Sequence, residues 1–441
     1  MFALLIHPWI HDFAAYDLWI QPLGLFYLAA VLEENGFETG YINCLDSHDS
    51  KGKPDGRAKF SKQPLSKPAP LAGIRRRYGR YGITPEVFRA RLAAHKRPDA
   101  VLATSGMTYW YPGVQETIAE IRRVFPDVFV LLGGIYATLM PEHAARFSGA
   151  DSVAAGPCEN RVVEMLGRTP IRRYHSPDDL PYPLWRLTPE TRYRVLLTSR
   201  GCPYSCTFCA SPLLSPGGFR QRTFLSVLAE IERYYYDDSI TDFVFYDDAL
   251  LARHRLFLQP LLRAVIDRKI RVRFHTPNGL HAREITKELA RLMFLAGFRT
   301  IRLSLESADA GIQKSKAGGK VDNRSFSEAV ENLCRAGYTP GQLEAYLLMG
   351  LPDQQPDEVR RTLDFVAGLG VIARPATFSP IPGTAEAEAA RSLVGESFVT
   401  EPLLQNDSCF PLREWGATGE QMEALKRHCL RNNSMIRGAR E

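Results

Sequence analysis

The run Thr198-Ser-Arg-Gly-Cys202-Pro-Tyr-Ser-Cys206-Thr-Phe208-Cys209 follows a short apolar strand, Arg194 to Leu197, and carries three cysteines in the spacing C-x3-C-x2-C. Thiolates are the soft ligands that iron–sulfur clusters need. A short loop containing glycine and proline can aim three of them at one cube while its backbone N–H groups hydrogen-bond the sulfurs. Three cysteines leave one iron of a [4Fe–4S] cluster open to another ligand. The competing reading is half of a zinc ribbon or a set of buried thiols. Structural zinc normally takes four ligands in paired C-x2-C units, and no second such pair exists here.

Around this loop the chain reads as two successive βα series. The first has apolar runs at Phe2 to Ile6, Tyr41 to Asn43, Ala100 to Thr104, Val128 to Leu132 and Ser152 to Ala155, with helical patterns from about Pro22 to Asn35 and after Pro112. The second begins at Arg194 and continues with Asp242–Tyr246, Val272–His275, Thr300–Leu305, Leu343–Met349 and Pro375–Phe378, with helices such as Thr286–Ala296 and Ser325–Ala336 between them. Continuous apolar runs are those of buried parallel strands, and six such units predict an open barrel. Ligands in these architectures collect at the carboxyl ends of the strands. There the first half offers Thr104-Ser-Gly-Met-Thr108 and Gly133-Gly134. The second offers Asp247-Asp248, Asn278, Ser304 with Glu306, and Gly350-Leu-Pro352. A Gly-Gly after a strand is by itself equally a turn signal, and a lone acid such as Asp247 or Glu306 has a helix cap or a surface acid as its competing reading.

The cysteine spacing, with aromatic Phe208 before the third cysteine, resembles the radical S-adenosylmethionine (SAM) superfamily, and the resemblance covers about residues 194–384. It implies that the open iron is chelated by SAM, whose cleavage yields a 5′-deoxyadenosyl radical. It further implies that Phe208 touches the adenine, that Asp247 or Asp248 meets the methionine amino group, and that Ser304 and Glu306 bind ribose or the methionyl group. Gly350 would offer backbone to adenine, and Asn278 stands among the same strand ends. The sequence departs from many members in having Phe245-Tyr-Asp-Asp248 where they carry Gly-Gly-Glu.

The first half is similar to the cobalamin-binding domain that precedes this barrel in one large subfamily. The matching residues are Pro22-Leu23-Gly24-Leu25 with Tyr27-Leu-Ala-Ala30, Gly36, Asp46, Met107-Thr108, Gly133-Gly134 with Ala137-Thr138, Pro141-Glu142, and Gly156-Pro-Cys-Glu159. The resemblance implies cobalamin cradled near Leu23-Gly24, Ser105 to Thr108 and Gly133-Gly134. No D-x-H-x-x-G motif supplies a histidine below cobalt, so base-off binding is expected. The usual Gly-Glu-Gly-Glu is also replaced by Gly156-Pro-Cys-Glu159. Methylthiotransferases are disfavoured, because residues 1–165 hold only Cys44 and Cys158.

The expected fold is therefore α/β: a doubly wound, Rossmann-like domain over 1–167, a Pro- and Arg-rich linker at 168–192, a partial (β/α)6 barrel over 193–384, and a substrate-capping region at 385–441. In that last region Cys409, Trp415, His428 and Cys429 either contact substrate or pack. The implied function is a cobalamin-dependent radical SAM methyltransferase acting on an unactivated carbon or on phosphorus. Corrinoid chemistry without methylation, and a non-catalytic nucleic-acid-binding protein, are the competing functions.

Composition limits the rest. The chain has 441 residues, 45% hydrophobic content and a mean hydropathy of −0.20, enough for two or three packed domains. No window approaches the roughly 18 apolar residues of a membrane span. The opening residues carry no basic n-region and no small-residue cleavage site, so secretion is not expected; the cysteine usage fits a reducing compartment, and a cytoplasmic, oxygen-sensitive protein is the expectation. Its partners would be a small-molecule or peptide substrate and an external electron donor such as flavodoxin or ferredoxin, without membrane or nucleic acid. The net charge of +6 is local: residues 47–97 hold 14 Lys or Arg, including Arg75-Arg-Arg77, against Asp49, Asp55 and Glu86. That segment reads as a solvated insertion.

Overall fold

The computed structural model describes residues 1–48, 52–409 and 417–438. The chain divides into two compact units: residues 1–192 with 213–216 and 397–406, and residues 193–212 with 217–396 and 407–441.

In the first unit, among the described residues, five parallel strands pair in the spatial order Glu38–Asn43, Phe2–His7, Ala100–Ala103, Phe129–Leu132, Ser152–Val153. Counted along the chain this is 2-1-3-4-5, a doubly wound order whose direction of winding reverses between the first and third strands. That reversal opens a crevice at their carboxyl ends. Leu4, Ile6, Val101 and Val130 face one helical layer, and Leu5, Leu102 and Leu131 the other. The strands read as unbroken apolar runs because both faces are covered.

The segment 47–97 corrects the sequence reading. Pro85–Ala94 is a helix capped by Thr84, with Phe88 and Leu92 in the core. Lys62–Pro64, Gly79–Tyr81 and Ile10–Asp12 form a small antiparallel sheet over buried Phe60 and Tyr81. Much of the positive charge is consumed locally. Lys62 Nζ donates to the carbonyls of Phe13 and Arg77 at 2.8 and 2.7 Å, and Arg57 pairs with Asp55 and lies over the Trp19 ring. Arg80 pairs with Glu116 and Arg91 with Asp46. Charge-dense composition hid a folded segment because the aromatics that anchor it are spread thinly. Lys51 and Asp49 fall outside the described residues.

The linker is corrected likewise. Tyr174 and Trp185 are buried, Trp185 packs edge-on against Phe26, and Leu184 N donates to Phe26 O at 3.1 Å. These two aromatics, with the ion pairs of Arg172 to Glu34 and Arg186 to Glu33, fasten 168–192 to its unit. Residues 397–406 also belong to the first unit: Thr108 donates to Gln405, Asn406 to Asp12 at 2.9 Å, and Tyr111 to Glu401 at 3.1 Å.

Among the described residues the main sheet of the second unit has seven parallel strands: six in sequential order, Tyr193–Leu196, Asp242–Phe245, Arg273–His275, Phe298–Glu306, Leu343–Met349 and Ile372–Thr377, with the short Leu280–His281 pairing beside Phe298–Glu306. Phe243, Phe245, Phe274 and Phe298 bring their rings within 5.2 to 6.2 Å of one another across three strands. Each buried ring contributes about 2–3 kcal/mol by removal from water. Helices Lys287–Ala296 and Asn323–Ala336 end on Gly297 and Gly337, both with positive φ. Helix Gly419–Gly438 buries Cys429, whose thiol donates to Ala373 O, and Asn433 brackets the same residue from both sides. Cys409 is buried too, His428 lies 2.6 Å from Asp364, and Trp415 falls outside the described residues. Among the described residues no helix is long and apolar enough to cross a membrane, and none of the eight cysteines forms a disulfide.

Candidate functional site

In the second unit the loop after the first strand carries Cys202, Cys206 and Cys209, of which Cys209 is exposed. Its shape is set by close backbone approaches. Gly201 has φ +76°, and a Cβ there would stand 2.7 Å from Gly218 O. Thr207 N donates to Lys316 O at 2.9 Å, and the Thr207 hydroxyl donates to Glu386 at 2.7 Å. Ser211 N points at the Cys209 sulfur at 3.4 Å, the kind of N–H donation that favours a thiolate. Burial raises all three thiol pKa values, that of Cys206 to about 11, while Lys320 pulls each of them down.

Among the described residues, no three His, Cys, Asp or Glu side chains close on one point as a single bound ion requires. A cube asks for less convergence, since each thiolate meets its own iron. With soft donors, a sulfur-directed N–H and a neighbouring cation, the loop fits a cluster.

Asp247 and Asp248 differ sharply. Asp247 is buried and accepts from Thr198 N at 3.2 Å, Thr198 Oγ1 at 2.7 Å and Ser199 Oγ at 2.5 Å. Burial raises its pKa to about 6 against the pull of those hydrogen bonds. Its carboxylate is spent on holding the start of the cysteine loop. Asp248 is exposed, accepts from Ser211 Oγ at 2.6 Å and acts electrostatically on Cys202 and Cys209. Asn278 donates to the carbonyls of Tyr246 and Asp247, which braces those strand ends. Gly350 has φ +85°, and its N–H is taken by Gln354 at 2.8 Å.

Glu306 ends its strand with φ +64°, a left-handed conformation rare for glutamate. The ladder with Leu343–Met349 shifts register between Ser304 and Glu306. This turns the carboxylate onto Lys320, whose Nζ lies 2.5 Å away, each side chain only 8% exposed. Burial disfavours the Lys320 ammonium, but Glu306 and Cys206 more than offset it and raise its pKa. The same ammonium lies 5.9 Å from the centre of the half-buried Phe208 ring. Lys320 is the residue that sequence reasoning missed. It follows Gly318-Gly319, both at positive φ, where a Cβ on Gly318 would sit 3.4 Å from Ser205 backbone. The paired glycines were the available signal. His281 was missed too: it is buried beside the Tyr204 ring at 4.4 Å, and burial, then Lys320, lower its pKa to about 3.

In the first unit a cavity of about 150 Å³ opens at the strand ends, walled by Gly24, Leu28, Thr104, Gly133, Gly134 and the 156–159 turn. It is built from missing side chains. Gly134 has φ +96°, and a Cβ there would stand 2.3 Å from Ser105 O, so this glycine permits the turn itself. Gly24, by contrast, has open space where a Cβ would be, so its missing side chain leaves room in the wall. Ser105 Oγ donates to Gly133 O at 2.6 Å and accepts from Ala137 N, stitching the two loops together. Leu23, Ser105, Met107 and Thr108 are not in the wall: Leu23 is buried, Thr108 is bonded to Gln405, and Met107 is exposed. The volume admits one small ring system, far less than a corrinoid. Only a side arm of such a ligand would enter.

The comparisons with known proteins agree with this division. The Radical SAM superfamily matches residues 196–366, and the B12 binding domain matches residues 70–166. An uncharacterized methyltransferase, PH0819, of Pyrococcus horikoshii is 25% identical over 321 residues, 65% of this chain and 68% of that protein. Cytidylyl-2-hydroxyethylphosphonate methyltransferase of Streptomyces wedmorensis is 21% identical over 86% of this chain and 78% of its own length. The radical SAM methyltransferase TsrM of Kitasatospora setae, solved with cobalamin and a [4Fe–4S] cluster bound, superimposes with a TM-score of 0.65 at 19% identity. That match covers 89% of this chain and 78% of TsrM, and it is a likeness of fold.

Proposed function

We propose, from the premise that this chain carries a B12-binding domain followed by a radical SAM domain, that it is a cobalamin-dependent radical SAM methyltransferase acting on an unactivated carbon or phosphorus centre of a small molecule or peptide. The observation that carries this reading is the three-thiol loop, with Asp248 and Glu306 beside it from the ends of parallel strands and Lys320 from the turn after Gly318-Gly319. When bound, the cluster and SAM supply a radical able to abstract hydrogen, and the corrinoid supplies a transferable methyl group.

The chain's own part is to bind, orient and balance charge. Cys202, Cys206 and Cys209 would hold the cluster, Lys320 would offset the charge of the thiolates and of a methionyl carboxylate, and Asp248 would meet the ammonium. Asp247 and Asn278 would act at one remove, by fixing the loop and strand ends that carry these groups. Phe208 would offer its face to a flat base, and Ser304 and Glu306 hydrogen-bond acceptors to hydroxyls. The cavity at Gly24 and Gly133-Gly134 would take a side arm of the corrinoid. One electron would come from an external donor of flavodoxin or ferredoxin type, in a reducing cytoplasmic setting.

The test is anaerobic reconstitution followed by incubation with methyl-labelled SAM, a reductant and a host extract. About four irons per chain, 5′-deoxyadenosine formation and a labelled product are expected. Cys206→Ala should lose the broad visible absorbance and the cleavage together, and retention of both would sink the assignment. Failure of the wild type to bind hydroxocobalamin in equilibrium dialysis would remove the corrinoid and leave a plain radical SAM enzyme.

A further inference from the structure

Outside the site, the second unit presents a surface that is net positive and tied to the cysteine loop. Between strand Asp242–Phe245 and helix Leu258–Asp267 the chain makes a tight turn anchored by buried Leu251 and Phe257. Arg253 takes φ +55°, a costly conformation for arginine that the fixed ends of the turn impose. As a result Arg253, Arg255 and Leu256 project outward, and Leu256 is 77% exposed. Arg283 joins them from the next turn, and together they border an open groove of about 370 Å³.

The floor of that groove leads to the cysteines. Glu284 lies in it and accepts from Tyr204 Oη at 3.2 Å, with buried His254 3.7 Å away on the other side. Tyr204 stands midway between Cys202 and Cys206 in the loop.

We propose that the Arg253–Leu256 turn and Arg283 form the docking surface for the acidic one-electron carrier, a flavin or iron–sulfur protein, that reduces the cluster. The inference rests on the function proposed above and gives its external donor a place to bind. Charge complementarity selects the partner: Arg283 pairs with Asp322 at 3.3 Å, which leaves the exposed Arg253 and Arg255 guanidiniums against one groove carboxylate, Glu284, and the surface net positive. An exposed leucine among arginines supplies the apolar anchor that such interfaces place inside a polar rim. The wide, shallow shape suits a protein face better than an enclosed small molecule. In the step served, one electron leaves the carrier and enters the cluster, and no bond or proton changes at this surface.

The test uses the full reconstituted chain, with a flavodoxin and a [2Fe–2S] ferredoxin as probes. Binding of the probe to the wild type should weaken steeply between about 50 and 300 mM salt. The double variant Arg253→Glu, Arg255→Glu should raise its Kd at least about tenfold, and Leu256→Ala should raise it less and without salt dependence. SAM cleavage supported by the protein donor should fall in parallel, while cleavage driven by dithionite and the cluster absorbance stay at wild-type levels. Unchanged Kd in the double variant, or no binding of either carrier to the wild type, overturns the proposal. So does a loss confined to oligonucleotide binding. If the wild type cleaves no SAM even with dithionite, the proposed function fails, while the binding measurement still judges the surface.

Discussion

The cysteine loop of the second unit and the cavity of the first are built on opposite principles. The loop is held by side chains: Asp247 anchors its entry, Lys320 and Glu306 form a buried pair beside it, and Thr207 is tied to Glu386. The cavity is held open by their absence, at Gly24, Gly133 and Gly134. A site made of charges fails when one is removed, because its partner is left buried and alone. A site made of space fails when something is added. The two units should therefore respond to opposite kinds of substitution.

The largest effect is expected at Lys320. Lys320→Met leaves Glu306 without its counter-ion at a strained backbone position, and breaking a buried pair costs about 3–5 kcal/mol. SAM cleavage should fall by about two to three orders of magnitude, with Lys320→Arg recovering part of it. A Lys320→Met enzyme within about twofold of wild type would show that the pair is only structural. Asp247→Ala comes next. It strands the Thr198 and Ser199 donors in a buried place at about 1–3 kcal/mol, so iron content after reconstitution should drop, whereas Asp247→Asn keeps an acceptor and should hold iron better. If Asp247→Asn instead retained full iron and lost SAM affinity, this carboxylate would return to the ligand role that the sequence resemblance suggests.

That reassignment marks what the sequence could convey. Strand positions were legible because buried parallel strands are continuous apolar runs, and the cluster loop because three cysteines at fixed spacing have few other uses. The distinction between Asp247 and Asp248 was not legible: adjacent residues on a strand end point opposite ways, and only the fold says which faces the thiols. Lys320 carries no motif, and its place depends on a turn made by Gly318-Gly319. The small sheet under the basic segment was obscured because lysines and arginines that bond to carbonyls or stack on rings look, in composition, like solvated ones. The pairing of residues 397–406 with the first unit rests on side-chain bonds across 290 to 394 positions, a separation no local pattern can signal.

The cavity is tested by addition. Gly24 lies in the first turn of helix Leu23–Glu34 with open space beside it, so Gly24→Ala should be tolerated, with a gain in helix propensity of up to about 1 kcal/mol. Gly24→Phe should fill the cavity and weaken hydroxocobalamin binding by about thirtyfold to a hundredfold, or roughly 2–2.7 kcal/mol. Iron content and dithionite-driven SAM cleavage should stay intact. Gly134→Val is the poorer probe, because a Cβ there collides with Ser105 backbone and deforms the loop itself. Wild-type cobalamin affinity in Gly24→Phe would move the corrinoid site away from this cavity.

The smallest effect separates the units by pH. Glu116 is partly buried, which alone would raise its pKa, but hydrogen bonds and charge from His11 and Arg80 hold it at about 2. Because the folded value lies below the ordinary glutamate value of 4.5, the unfolded chain binds the extra proton first. The stabilisation is therefore complete above about pH 4.5 and is lost as pH falls toward 2. The carboxylate is a quarter exposed, so solvent screening keeps the contribution to about 1 kcal/mol or less. Trp9, Trp19, Trp110 and Trp185 all lie in the first unit, so tryptophan fluorescence reports chiefly on its unfolding. Glu116→Gln should lower the fluorescence-detected Tm slightly at pH 7 and flatten its decline between pH 5 and 3, leaving the cysteine-loop absorbance at pH 7 unchanged. A variant whose acid limb superimposes on that of the wild type would mean that His11 and Arg80 find other partners, and that the Glu116 carboxylate adds nothing to the stability of the first unit.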